Sequence, residues 1–264
     1  MRQIEMESIG PQVCQLAMDA GEAILKVYDS QDIDGCHPTL LAYKSDDSPV
    51  TLADLASHHV ICDGLRRLTP NISVVSEEDE ASLVHRVPKG EFWLIDPLDG
   101  TKEFLARNGE FTVNIALIVQ GEPVWGVVYV PVLGQMYWGG RTHGAFRQVG
   151  QEIKQIYVAA PVTAGGQYRV VASKSHLNKE TTDFIARLGT VDCVQAGSSL
   201  KFCRIAEGNA DVYPRFAPTC EWDTAAAQAV VEGAGGSVHE VDGSRLRYGK
   251  PEVLNPHFIA ASTR

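Results

Sequence analysis

WLIDPLDGTKEF, residues 93–104, runs apolar residues straight into two carboxylates, Asp96 and Asp99, with Pro97 between them and Gly100 behind. The run FWLID (92–96) reads as a short buried strand. Pro97 forbids helix continuation and favours a turn after Asp96. Gly100 lets the backbone come close to a ligand. Thr101 opens a polar helical turn whose free N–H groups suit a phosphate. One short segment therefore offers carboxylates to cations and amides to an anion. A turn in which an Asp caps the following helix is an equally open reading of these residues alone.

The elements around this segment set the fold class. Residues 3–28 repeat Ile4, Val13, Leu16, Ala17, Ala20, Ile24 and Val27 at helical spacing. Residues 29–49 are polar and irregular, and a second helix is expected from Thr51 to about Leu68. ISVVS (72–76) reads as a second buried strand. FTVNIALIVQ (111–120), PVWGVVYVPV (123–132) and QMYWGG (135–140) are strands joined by tight turns, an antiparallel meander. A strand near 153–158 precedes the Pro/Gly-rich stretch APVTAGGQ (160–167). Beyond it strands and helices alternate: YRVVAS (168–173), a helix over 178–188, TVDCVQA (190–196), a helix over 199–208, DVYP, a helix over 223–234 and HFIAAS (257–262). The pattern predicts an α+β half over 1–160 and an α/β half over 161–264, integrated into one catalytic unit of sheets sandwiched between helices.

Composition narrows the function classes. The chain has 264 residues, 44% of them hydrophobic and 21% charged, an ordinary globular mix. No apolar run approaches the ~18–20 residues of a membrane span, and MRQIEMESIG at the start lacks the apolar core of a secretory signal. A cytoplasmic setting is expected, with peripheral contact at the inner membrane face left open. The net charge of −10, without a basic run, speaks against nucleic acid as a partner. The six cysteines (14, 36, 62, 193, 203, 220) form no Cys-x-x-Cys pair and no zinc spacing, so reduced thiols are expected. The sequence leaves monomer and homodimer both open.

Three more segments concentrate acids at the ends of elements. VVSEEDEA (74–81) ends an apolar strand in Glu77, Glu78, Asp79 and Glu80. Alternation along a strand sends Glu77 and Glu78 to opposite faces, and a solvated loop is the plain alternative. In CEWDTAAAQAVVEGAGG (220–236), Asp223 precedes a strong helix. It is either an N-cap worth about 1 kcal/mol or a metal ligand. KSDDSPVTLADLA (44–56) places Lys44, Asp46, Asp47, Thr51 and Asp54 around a proline turn, with Asp54 in the first turn of the second helix, where a helix-dipole contact is the plain role. Several element ends that each supply acids point to a hard cation, and oxygen ligands without Cys/His clusters fit Mg²⁺.

These segments carry a family resemblance. DPLDGTKEF resembles the D-P-[LI]-D-G-T signature of the inositol monophosphatase-like, Mg²⁺-dependent and lithium-sensitive phosphatases. SEED, WDTAAAQAVVEGAGG and KSDDSPVTLAD are similar to that family's other elements, in the same order and across the whole chain. DGTKEF, NGEFTVNIAL and GSSLKFCRIAEGNADVYPRF (197–216) favour the bacterial form of its 3'(2'),5'-bisphosphate nucleotidase branch. The resemblance implies a layered αβαβα sandwich. It also implies two or three Mg²⁺ held by Glu77, Asp96, Asp99, Asp223 and the Leu98 carbonyl. Leu98, Asp99, Gly100, Thr101 and Asp223 would line the phosphate, Asp54 and Thr101 would work as a pair on the attacking water, and Glu77 would count as catalytic beside its place as a metal ligand. Hydrolysis of adenosine 3',5'-bisphosphate to AMP and phosphate, in sulfur assimilation, is the implied reaction.

Substrate choice is expected in the second half. Lys201 and Arg215 are candidates for a second phosphate. Ser198 and Ser199 either bond ribose or phosphate or cap the helix over 199–208. SKSH (173–176) and HGAF (143–146) are weak candidates for the base, and Tyr213 and Phe216 read mainly as core. Rival readings are an inositol or sugar phosphatase of the same fold, a nucleotide-phosphate sensor that binds without turnover, and a structural protein with acidic helix caps.

Overall fold

In a computed structural model, residues 3–30, 40–43, 49–163, 165–172 and 178–262 are described. Lys44, Asp46, Asp47 and the SKSH stretch, all singled out in the sequence, lie outside them. The first helix, α1, spans Gln3–Ser30. Strands β1 (Leu40–Tyr43) and β2 (Pro49–Thr51) pair antiparallel, within a stretch that reads as irregular in the sequence. Helix α2 (Leu52–Leu68) follows Thr51, whose hydroxyl accepts from Ala53 N while Asp54 Oδ2 accepts from Thr51 N. This reciprocal cap fixes where α2 begins.

Strand β3 (Ser73–Ser76) leads through a 3₁₀ turn (Glu80–His85) to β4 (Glu91–Asp99) and the short helix α3 (Thr101–Leu105). Strands β5 (Thr112–Val119), β6 (Glu122–Val130), β7 (Gln135–Gly140), β8 (Gly144–Val149) and β9 (Glu152–Ile156) complete a seven-stranded sheet in chain order, parallel only between β3 and β4. The expected meander is present and longer than expected, because β8 escaped the sequence pattern. Strands β10 (Tyr168–Ala172), β11 (Val191–Gln195), β12 (Val212–Arg215), β13 (Ser237–Glu240) and β14 (Phe258–Ala261) form a second sheet in the order β11-β10-β12-β14-β13. Helices α4 (Lys179–Arg187), α5 (Leu200–Ala206) and α6 (Glu221–Gly233) accompany it.

The apolar side chains divide between two cores. One lies between α1, α2 and one face of the large sheet and contains Ile24, Ile61, Trp93 and Ile95. The other lies between the opposite face, α5, α6 and the second sheet, with Phe92, Leu94, Ala226 and Phe258. Each large side chain sealed this way stabilises the fold by about 1.5–3 kcal/mol. Helix α6 runs close over the large sheet: a Cβ at Gly126 would fall 2.5 Å from the Ala226 carbonyl oxygen. The alanine-rich face of α6 and a glycine in β6 make that approach possible. Helices α1 and α2, the large sheet, α5 and α6, and the second sheet, with α4 against β12, give the alternating helix and sheet layers expected. Among the described residues no helix is long and apolar enough to cross a membrane, and Cys14, Cys62, Cys193, Cys203 and Cys220 are free thiols.

Candidate active site

The strand that opens the sequence argument does not stop at Asp96. It continues to Asp99, with a break in its ladder to β5: Asp96 pairs with Asn114 and Asp99 with Thr112. Three steps along β4 thus match two along β5, a bulge of one residue at Pro97 and Leu98. Pro97 lacks the N–H that a regular ladder requires. In a flat strand, residues three apart point to opposite faces; one extra residue brings them back to the same side. The proline between the two aspartates therefore lets both carboxylates serve one site.

Two more segments meet this strand end. Glu77 sits just past β3, and its N–H donates to the Ile95 carbonyl at 3.2 Å. Asp223 lies in the first turn of α6. The N-cap is Cys220, so Asp223 is not the cap itself; its Oδ2 accepts from Cys220 N at 2.8 Å. Glu77, Asp96 and Asp223 each bring a carboxylate oxygen within 4.8 Å of the others. Burial pushes the Asp96 carboxyl well above the usual carboxylate range, and repulsion from Glu77, Asp99 and Asp223 pushes it further. Burial, then Asp99 and Glu77, does the same to Asp223. Three convergent, mutually repelling carboxylates, Asp96 buried and Glu77 and Asp223 half-buried, without sulfur or nitrogen donors, fit a hard divalent cation, which removes the repulsion.

Asp99 lies outside that group of three. Its Oδ2 accepts from Ser199 N at 2.6 Å and lies 2.9 Å from Ser199 Oγ, 3.3 Å from Thr112 Oγ1 and 3.4 Å from Asn114 Nδ2. Leu98 is buried, and its N–H donates to Asp96 Oδ1 at 3.1 Å. Gly100 has φ +92°, and a Cβ there would come 2.0 Å from Ser198 Oγ, so only glycine fits. Thr101 Oγ1 lies 3.4 Å from Asp54 Oδ1, while Thr51 N and Oγ1 hold Asp54 Oδ2 at 2.7 and 2.6 Å. Glu78 is not in the carboxylate group; its N–H donates to Ser76 Oγ.

The second half supplies cations beside these acids. Lys201, Arg215, Ser198 and Tyr213 line a cleft of about 60 Å³ together with Asp99 and Asp223. Lys201 is 8% exposed, and burial pushes its ammonium down to about 8, with Asp99 pulling it up and Arg215 pushing it down. Ser198 Oγ donates to the Asp99 carbonyl at 2.9 Å. Ser199 is 1% exposed and stands at the N-cap position of α5 without a side-chain cap hydrogen bond. Tyr213 and Phe216 are buried, as core residues should be. The HGAF stretch belongs elsewhere. Gly140 and Gly144 of its hairpin pack on Gly233 at the far end of α6, about 15 Å of helix away from Asp223. His143 and Phe146 line a separate cavity of about 490 Å³ with α1.

Thr112, Asn114 and Ser57, which donates to the Pro97 carbonyl at 2.6 Å, are missing from the sequence expectations. The available signal was polarity inside apolar strands and helix faces, since a polar group buried there must find a partner.

The wider comparisons agree with this geometry. The chain is 52% identical over 250 residues to the 3'(2'),5'-bisphosphate nucleotidase CysQ of Salmonella typhimurium, covering 94% of this chain and 97% of that one. It superposes on CysQ from Bacteroides thetaiotaomicron, a bacterial member of the inositol monophosphatase family, with a TM-score of 0.80 at 39% identity, over 94% of this chain and 95% of that one. An inositol monophosphatase from Anabaena, 22% identical with a TM-score of 0.74 over 99% and 92% of the two chains, shares the fold. The inositol monophosphatase family model matches residues 5–263. By that match and by the CysQ relatives, the chain belongs to the inositol monophosphatase family.

Proposed function

We propose that this protein is a Mg²⁺-dependent phosphomonoesterase that removes the 3'-phosphate of adenosine 3',5'-bisphosphate, giving AMP and phosphate, and that 3'-phosphoadenylyl sulfate is a second substrate. The observation that carries the reading is the convergence of Glu77, Asp96 and Asp223 beside a cleft lined by Lys201 and Arg215. The family and the CysQ relatives support the same chemistry. A cytoplasmic setting and a role in sulfur assimilation go with it.

Glu77, Asp96, Asp223, one oxygen of Asp99 and the Leu98 carbonyl would hold two or three Mg²⁺. When bound, the ions neutralise phosphoryl charge and lower the pKa of a water. The residues do the rest. Asp54, with Oδ2 fixed by Thr51, accepts the Thr101 hydroxyl proton and leaves a Thr101 lone pair to receive a proton from the attacking water. The amides of Gly100 and Thr101, at the start of α3, face phosphoryl oxygens. In the overall step, water adds to phosphorus, the P–O bond to the ribose 3'-oxygen breaks, and that oxygen leaves with a proton. Lys201 and Arg215 take the second phosphate. Both are cationic and line the same cleft, and Arg215 Nη2 donates to the Pro218 carbonyl at 3.0 Å.

The test is a substrate panel with adenosine 3',5'-bisphosphate and inositol 1-phosphate, with Mg²⁺, with chelator and with lithium. The expected result is preference for the bisphosphate by about tenfold or more in kcat/KM, one lost phosphate contact costing about 1.4 kcal/mol or more. Chelator abolishes activity and lithium inhibits it. Preference for inositol 1-phosphate would make the protein a sugar phosphatase of the same fold; binding without turnover would make it a sensor.

A further inference from the structure

Ser199 stands between the two segments that carry Asp99 and Asp223. Its backbone N–H donates to Asp99 Oδ2 at 2.6 Å. Its hydroxyl lies 2.9 Å from that same oxygen and 2.8 Å from the Asp223 carbonyl oxygen. A hydroxyl has one proton to give, so it donates to one of the two at a time. Its lone pairs are not idle: Asn114 Nδ2 donates to Ser199 Oγ at 2.9 Å. Asn114 Nδ2 also comes within 3.4 Å of Asp99 Oδ2. The same Asn114 lies directly across the ladder from Asp96, and Thr112 directly across from Asp99.

We propose that Ser199 and Asn114 are positioning residues, which fix the Asp99 carboxylate against the first turn of α6 so that the site can hold its cations. The proposal rests on the reading of this site as a cation-dependent phosphatase. Neither residue is placed to touch a substrate. Each is 1% exposed, and Ser198, not Ser199, lines the cleft with Lys201. Among the described residues, the donors to the Asp99 side chain all reach the same oxygen, Oδ2, which keeps the other oxygen for a cation. Hydrogen bonds to an ionised carboxylate are short and directional, so they set its rotamer. Partners of this kind govern the orientation of a metal's ligands, and losing one costs about 10- to 100-fold in metal affinity. The arrangement also joins the halves of the chain. Asn114 stands in β5, Ser199 at the start of α5, Asp99 ends β4, and Asp223 opens α6.

The test compares Ser199→Ala and Asn114→Ala with the unmodified protein. Mn²⁺ is titrated calorimetrically into cation-stripped protein without substrate, and KM for adenosine 3',5'-bisphosphate is measured at saturating Mn²⁺. The expected result is a Mn²⁺ dissociation constant raised about 10- to 100-fold in both variants, with KM at the unmodified value. Mn²⁺ affinity unchanged in either folded variant overturns the proposal, and a raised KM beside it makes Ser199 a substrate contact. Thermal melts report folding; if Ser199→Ala does not fold, Asn114→Ala decides by the same criterion. Because the titration needs no substrate, it reads the positioning role even where the unmodified protein proves inactive on the bisphosphate.

Discussion

Asp96 is where the site's chemistry opposes its stability. It is 2% exposed, and burial together with Glu77, Asp99 and Asp223 raises its carboxyl well above the unfolded value of 3.8. The folded state therefore holds this proton more tightly than the unfolded chain does. Between 3.8 and the raised value, stability falls as pH rises, and above the raised value the favourable contribution is gone. At neutral pH, without cations, the clustered charges work against the fold. Asp96→Asn should then raise Tm of chelator-treated protein at pH 7, by about 2–4 °C for each kcal/mol of repulsion relieved. The same variant should lose about 100- to 1000-fold in turnover, since the charge stabilisation it removes is worth several kcal/mol. Calorimetry with chelator and an assay with Mg²⁺ check the two halves, and a lower Tm in the variant would contradict the first. At this scale the acids were legible in the sequence, because strands and helices that end in carboxylates stand out. Thr112 and Asn114 were not, since FTVNIAL reads as a strand whether or not its polar residues have work to do.

The β4 bulge and the start of α6 carry the argument at the scale of elements. Glu221, two residues before Asp223, is 0% exposed. Its carboxylate meets Arg86 Nη1 at 3.1 Å, Lys250 Nζ at 2.6 Å and the backbone N–H groups of Gly249 and Lys250 at 2.9 and 3.0 Å. Arg86 closes the 3₁₀ turn that follows Glu77, and its Nη1 donates to the Lys250 carbonyl at 2.5 Å. The cluster thus ties the segment bearing Glu77 to the helix bearing Asp223. Removing one member of a buried ion cluster strands the others, at a cost of about 3–5 kcal/mol. Glu221→Ala should lower Tm by about 6–20 °C in a scanning calorimeter; an unchanged Tm would mean the cluster holds nothing. The elements were mostly legible, including the meander and the helix over 223–234. Strands β8 and β13 were not: GAFRQV and SVHE are short, and neither shows a clean alternation of apolar and polar residues. The continuation of β4 through Pro97 was hidden as well, because a proline in a strand reads as its end unless a bulge absorbs it.

At the scale of the whole molecule the site exists only where the halves meet. Asp54, Glu77, Asp96, Asp99 and Thr101 come from the first 160 residues; Ser199, Lys201, Arg215 and Asp223 come from the remainder. One core, containing Phe92 and Leu94 on one side and Phe202 and Phe258 on the other, holds the two parts together. Local pattern foretold the order of layers but could not foretell that Glu77, Asp96 and Asp223 would meet, since long-range convergence leaves no periodic trace. In the sequence, acids at element ends pointed to a cation, and the family resemblance named the acids that would share it. The most direct test is a crystal of the protein soaked in Mn²⁺ and measured at the manganese edge. The account predicts anomalous peaks in contact with carboxylate oxygens of Glu77, Asp96 and Asp223. Manganese bound only elsewhere on the molecule, with those three carboxylates left bare at saturating Mn²⁺, would contradict it.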